Sequence, residues 1–399
     1  MYLIPQRELS LTPIVSHLFS EGLYLSAKKL NHLTVFEKLV VRLNTEPNTS
    51  FNWIYSYCEQ NLTWKECVEI ALILARISKH HALIVINIAM KKSFYLSFRC
   101  RLAKLIIEVH YSEEKLNIFN YLLTYIVKNN FDRNLLQINL KRSNCGMKFL
   151  STSCRNDSIT NGPLVSIIVP TWNTSQYVEK CIKSLTLQNY KNLEIIVVDD
   201  MSNDGTYEKV LSLSKTDVRI KVTRTSERSG TYIARNIGIK CASGFYCTFL
   251  DSDDVACIER ISKHVKAMTS NDYVATISNW VRFDKLGFAK NRMVWPYVRL
   301  NVGSLFFIRE KIVNDVGLFH EVKFAADGEY LARIKRHYGQ EKIFRLNKIL
   351  TIATYRSNSL TSCSLTGYGD SICNIDRLTY REQWEKLHNQ KYQTQAHKI

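Results

Sequence analysis

The sequence predicts two regions of different class: an all-α N-terminal region, then an α/β domain on a mostly parallel sheet. Three observations predict this. Residues from about 15 to 140 are dominated by helix-forming stretches, and the only prolines in the first 160 residues are Pro5, Pro13 and Pro47. A polar stretch rich in turn formers follows. Beyond it, short β-branched runs alternate with helical stretches, the pattern of right-handed parallel crossovers.

The helical region is clearest at Glu66 to Arg76, with Phe94 to Val109 and Lys115 to Val127 repeating its character. No fixed-period repeat emerges, although helix pairs of this kind can stack. His80-His81 is not read as a ligand pair, because adjacent helix residues face different ways. Ser151-Thr152-Ser153 and Asn156 to Pro163 have the composition of a linker. The expected division is 1–150 helical domain, 151–162 linker, 163–361 α/β domain and 362–399 helical tail. The tail, Asp376 to His388, reads as an amphipathic helix that either packs on the α/β domain or meets a membrane surface.

Within the α/β domain, Val165 to Val169 is a buried parallel strand stopped by Pro170. Thr174 or Ser175 caps a helix running to about Leu187. Leu193 to Val198 is the second strand and ends in Asp199-Asp200. Val218 to Val222 is the third, Thr231 to Cys241 a helix, and Phe245 to Leu250 the fourth strand. In such sheets ligands bind beyond the carboxyl ends of the strands. Pro170, Asp199-Asp200 and Asp251-Ser252-Asp253-Asp254 all stand there.

The acidic tetrapeptide has two readings. Aspartates cap helices well. Clustered carboxylates also suit a hard divalent ion, Mg²⁺ or Mn²⁺, that is shared with a substrate's phosphates. The formal charge of +18 is spread over both halves of the chain. That fits phosphorylated substrates or an anionic membrane surface better than nucleic acid, whose binders concentrate charge on one element. Eleven scattered cysteines without C-x-x-C spacing argue against zinc and against a disulfide framework. The most apolar stretch, Ile70 to Met90, is broken by Arg76, Lys79, His80 and His81, so no membrane-spanning helix is expected.

Four motifs in order carry a resemblance: Val165 to Asn173, Val197 to Thr206, Ala234 to Ile239, and Phe249 to Asp254. Together they resemble family 2 glycosyltransferases of the GT-A fold, over about residues 163–361. The resemblance implies an inverting, metal-dependent transfer of a sugar from a nucleotide-diphosphate donor, a UDP-sugar first of all. It implies Pro170, Thr171, Asn173, Asp199, Asp200 and Arg235 at the nucleotide, with Asp200 on the base. An exposed helix arginine is the plain alternative for Arg235. Asp251 would face the ribose or the metal, Asp253 would bind Mn²⁺ or Mg²⁺, and Asp254 either supports them or caps the turn.

The family usually carries an acidic pair on its catalytic helix, whereas this chain has Ala326-Asp327. Asp327 is therefore the expected base, with Glu329 as its competitor. Asn358 stands where many relatives carry histidine, which either shifts phosphate contact toward Arg356 or strengthens the metal dependence. Trp280 and Trp295 are either core aromatics or acceptor-stacking residues. The implied partners are a glycan or lipid-linked glycan acceptor in capsule or lipopolysaccharide synthesis. The implied location is cytoplasmic and peripheral on the inner face of the cytoplasmic membrane. Two other classes remain open: a degenerate GT-A domain serving as a binding or scaffolding module, and a basic RNA-binding protein.

Overall fold

The computed structural model describes residues 52–75, 78–93, 103–104, 107–108, 158–283, 299–356, 359 and 375–396. These fall in two compact units. One holds the described residues up to 108 together with 356, 359 and 375–390, and the other holds 158–283 and 299–355.

The first unit contains α1 (Asn52–Asn61), α2 (Trp64–Leu74) and α3 (Lys79–Lys92), with α10 (Ile375–Ala396), which runs past its end. Thr63 starts α2 with a capping box: its hydroxyl accepts from Glu66 N while the Glu66 carboxylate accepts from Thr63 N. Leucine, isoleucine and alanine at helical spacing bury Ile70, Ala71 and Leu74 of α2, and Val85, Ile86 and Ala89 of α3. His81 pairs with the Tyr55 hydroxyl and so belongs to this packing, as the sequence suggests for it. Helix α10 buries Leu378 and Trp384 and exposes Ile375 and Leu387 singly. Trp384 is thus withdrawn from solvent, while Tyr380 of the same helix is half-buried.

The second unit is a nine-stranded mixed sheet between two helical layers. In order along the chain come β1 (Val165–Thr171), α4 (Val178–Thr186), β2 (Leu193–Asp199), α5 (Thr206–Ser214), β3 (Ile220–Arg224), α6 (Thr231–Cys241) and β4 (Tyr246–Phe249). There follow β5 (Val255–Ala256), α7 (Arg260–Thr269), β6 (Ala275–Phe283), β7 (Arg299–Leu300), β8 (Phe306–Ile308), α8 (Arg309–Val316), α9 (Ala326–Tyr338) and β9 (Ile343–Thr354). The strand order is β3-β2-β1-β4-β8-β6-β9-β5, with β7 beside β6.

Strands β1 to β4 pair in parallel and form the half that the strand–helix alternation predicts. From β8 onward antiparallel pairs enter, with β6·β9 parallel among them. Strict alternation divides the core. Ile168, Ile196 and Val198 pack toward α6, α8 and α9. Ile167, Val169, Ile195 and Val197 pack toward α4, α5 and α7.

Three local expectations are corrected. Pro170 does not stop β1, which runs on to Thr171. Leu250 N donates to Ile168 O, so residues 168 and 170 both face β4, and β4 has ended at Phe249. Pro170 therefore has no ladder bond to lose. Helix α4 begins at Val178, where Thr174 O rather than a side chain receives the first N–H groups. Strand β3 begins at Ile220, because Val218 lies in the turn before it with 95% of its surface exposed.

Candidate active site

The carboxyl ends of β1, β2 and β4 meet the N-termini of α6 and α9. The loop after β1 and the loop after β2 are laced together. Asn173 N donates to Ser202 Oγ, Asn203 N donates to Asn173 Oδ1, and Thr174 N donates to Thr206 Oγ1. Asn173, Met201 and Ala325 have positive φ angles of 48°, 59° and 63°. Non-glycine residues in that region cost energy and collect where a site imposes geometry. All three lie on this edge: after β1, after β2 and just before α9.

The predicted nucleotide residues of β1 and β2 are firmly held. Asp199 is wholly buried, accepting from Thr171 Oγ1 at 3.1 Å and Ser202 N at 3.1 Å, with Arg224 Nε at 3.1 Å. Asp200 turns toward α6 and accepts from Ser229 N at 2.7 Å and Gly230 N at 2.8 Å, with Thr225 Oγ1 at 3.2 Å. These two N–H groups lie just before α6, whose N-cap is Gly230, so the carboxylate fixes the chain's entry into the helix and opposes the positive end of its dipole.

Helix α6 is the hub. Arg235, 3% exposed, donates from Nη2 to Asp251 Oδ1 at 2.7 Å. The rings of Tyr232, Phe249 and Phe319 surround its guanidinium at 5.2–5.8 Å. Burial acts to lower the pKa of Arg235, but the charges of Asp251 and Asp327 leave it raised. The alternative of an exposed helix arginine is thereby overturned. One turn earlier, Tyr232 donates its hydroxyl to Asp327 Oδ1 at 3.1 Å. Asn236 exchanges two hydrogen bonds, both 3.0 Å, with the backbone of Phe319, fixing the segment that leads to α9.

In the acidic turn, Asp251 and Asp253 are partly exposed and Asp254 is buried. Asp254 accepts from Thr354 N at 3.0 Å, which ties the turn to the end of β9. Burial, then the charges of Asp253 and Asp251, push its carboxyl well above the ordinary range. Below the turn Arg260 is fully buried, donating to Phe249 O at 2.6 Å and Thr248 Oγ1 at 3.2 Å. Burial pulls its pKa down to about 10, against the fields of Cys181, Cys257, Asp254 and Asp251.

Asp327 stands partly exposed at the start of α9. Its competitor Glu329 is completely buried and bidentate to Arg333 at 2.8 and 2.9 Å. Arg333 also donates to Val316 O and Leu318 O, so this pair anchors the segment before α9.

The donors of the acidic turn are oxygens only, which suits Mg²⁺ or Mn²⁺. Among the described residues no group of three or more His, Cys, Asp and Glu converges on one point. Asp251 and Asp253 therefore fit a hard ion held by one or two carboxylates and completed by a ligand's phosphates, not a closed protein cage. Arg356 falls in the other unit. Asn358 and Trp295 lie outside the described residues, and Trp280 lies half-buried on β6 under Arg282. Tyr232, Asn236 and Arg260 received no role from the sequence. Their partners lie 95, 83 and 11 or 12 positions away, and no local pattern announces them.

The pattern of the family described as "Glycosyl transferase family 2" matches residues 166–330. An uncharacterized glycosyltransferase of Haemophilus influenzae is 39% identical over 127 residues, 32% of this chain and 51% of that protein. The putative teichuronic acid biosynthesis glycosyltransferase TuaG of Bacillus subtilis is 40% identical over 106 residues, 27% of this chain and 42% of its own length. Escherichia coli WfgD, named UDP-Glc:alpha-D-GlcNAc-diphosphoundecaprenol beta-1,3-glucosyltransferase, is 38% identical over 117 residues, 29% of this chain and 46% of its own length. The chain thus spans about half the length of these curated relatives, or less.

Proposed function

We propose that this chain, whose residues 166–330 form a family 2 glycosyltransferase domain, moves a sugar from a nucleotide-diphosphate donor to a hydroxyl of a growing glycan, with inversion. One observation carries the reading. A single helix start holds a carboxylate of the acidic turn through Arg235 and a separate, partly exposed carboxylate through Tyr232. Inverting transfer in one displacement needs those two functions on opposite faces of the sugar: a place for the leaving diphosphate and a base for the incoming hydroxyl.

Asp251 and Asp253 would hold Mn²⁺ or Mg²⁺ against the diphosphate. When bound, such an ion supplies Lewis-acid stabilisation of the charge that develops on the leaving group. Asp327 accepts the proton of the acceptor hydroxyl as it attacks the anomeric carbon. The laced loops at Pro170, Thr171, Asn173 and Asp200 shape the nucleoside pocket, with Asp199 fixing them from below. Arg235 sets the position of Asp251 beside the donor. The name of WfgD supports a UDP-sugar donor and an acceptor carried on diphosphoundecaprenol, and that of TuaG supports a role in teichuronic acid biosynthesis. Capsule or lipopolysaccharide synthesis at the inner membrane face is the setting these features suit.

The test is release of UDP from a panel of UDP-sugars with Mn²⁺, in wild type, Asp327→Asn and Asp253→Ala. Wild type should turn over at least one donor. Asp327→Asn should lose about 10²- to 10⁴-fold in transfer, with UDP affinity unchanged. Asp253→Ala should weaken Mn²⁺-dependent UDP binding. A wild type that neither binds nucleotide nor cleaves any donor would leave the domain as a scaffold.

A further inference from the structure

We propose that Tyr232 is the positioning residue of Asp327, aiming its carboxylate from the neighbouring helix. The inference rests on Asp327 as the base, but the contact can be tested without catalysis. Tyr232 is 6% exposed, and its ring packs against Phe319 at a centroid distance of 5.7 Å. Its hydroxyl therefore reaches Asp327 Oδ1 from a ring that has little freedom to move. Phe319 is itself fixed by the reciprocal bonds from Asn236, one turn along the same helix. The next residue toward the N-terminus, Ala326, is buried in the core, so that position brings no polar side chain to Asp327. The polar partner comes instead from 95 positions upstream.

A hydrogen bond donated to one carboxylate oxygen fixes where that oxygen stands, and a base must stand within hydrogen-bond reach of the proton it takes. Among the described residues, charged groups stand near Asp327 on its own and the neighbouring elements. Arg235 on α6 acts on it through space, and Asp251 lies behind Arg235. Glu329 and Arg333 on α9 are paired with each other, and His320 approaches Glu329 from the preceding segment. Removing the phenol leaves all of these in place. It takes away one donor and one constraint on the rotamer of Asp327.

The experiment labels the full chain with ¹³C-aspartate and follows the Asp327 carboxyl resonance, assigned by its loss in Asp327→Asn. At one fixed pH its chemical shift should move in Tyr232→Phe, and 3-fluorotyrosine at position 232, which keeps a hydroxyl donor of altered strength, should move it by a different amount. A resonance unmoved in both would overturn the proposal, and the fluorinated protein decides the matter if the phenylalanine variant folds poorly. In parallel, UDP release from whichever UDP-sugar wild type cleaves should show a roughly tenfold lower kcat in Tyr232→Phe with little change in donor KM. Full activity of Asp327→Asn would remove the base reading while leaving the resonance result standing, so the two failures are distinguishable.

Discussion

Glu194 shows how far a single carboxylate can be committed to structure. It sits at the start of β2, 4% exposed, at the sheet edge opposite the candidate site. It accepts from Ser166 Oγ at 2.5 Å, Ser243 N at 2.7 Å and Ser243 Oγ at 2.9 Å, and pairs with Lys221 Nζ at 2.5 Å. Burial alone would raise its pKa, but these donors hold it at about 2, against an ordinary 4.5. The folded value lies below the unfolded one, so the stabilisation is complete above pH 4.5 and is lost as pH falls toward 2. The difference corresponds to roughly 3 kcal/mol. Urea unfolding should find Glu194→Gln destabilised by about that order at pH 7, with the gap to wild type shrinking by more than half at pH 3. A gap independent of pH would mean that packing, not charge, makes the contribution. Residue type alone does not distinguish Glu194 from the carboxylates of the candidate site. Only its place at the amino end of a strand does so, and strand direction is legible from the alternation.

At the scale of the element, α6 decides whether the site exists. Gly238 lets it lie close on β1: a Cβ there would stand 2.4 Å from Ile168 Cγ2 and 3.1 Å from Cγ1. Neither atom can leave, because Ile168 is fully buried in the core. Gly238→Ala should therefore cost about 1–3 kcal/mol through overpacking. It should also displace Tyr232 and Arg235, which ride on the same helix. Combining it with Ile168→Ala, which clears the space, should give a loss smaller than the sum of the two single losses by denaturant unfolding. Strict additivity would show that the helix has shifted for another reason. The extent of α6 was legible, since Thr231 to Cys241 is both the expected and the observed helix. Its orientation was not. The sequence shows a helix carrying Arg235, but which side faces β1 depends on the contact between Gly238 and Ile168, 70 residues apart. In the other half of the sheet β5, β7 and β8 have two or three residues each, too short to show any period, whereas β6 and β9, nine and twelve residues long, went unread despite their length.

For the whole molecule, the charge of +18 is the property that no single site accounts for. Arg235, Arg224 and Arg333 are each matched to a carboxylate, so local pairing absorbs part of the basic content and leaves a general excess. None of the described helices is long and apolar enough to cross a membrane, and α10 turns Trp384 inward. Attraction of an anionic surface to the chain would then draw on its positive charge rather than on Trp384. Each Lys or Arg close to such a surface adds about 1 kcal/mol, an effect that fades over a Debye length of about 8 Å at physiological salt. The chain should therefore co-sediment with phosphatidylglycerol vesicles at low salt, release almost completely by about 0.5 M salt, and ignore phosphatidylcholine vesicles. Trp384→Ala should leave this binding unchanged if the contact is electrostatic and α10 is internal packing. Salt-resistant binding that Trp384→Ala abolishes would restore the amphipathic reading of the tail. Binding that is absent at low salt would assign the positive charge to the donor and acceptor phosphates alone.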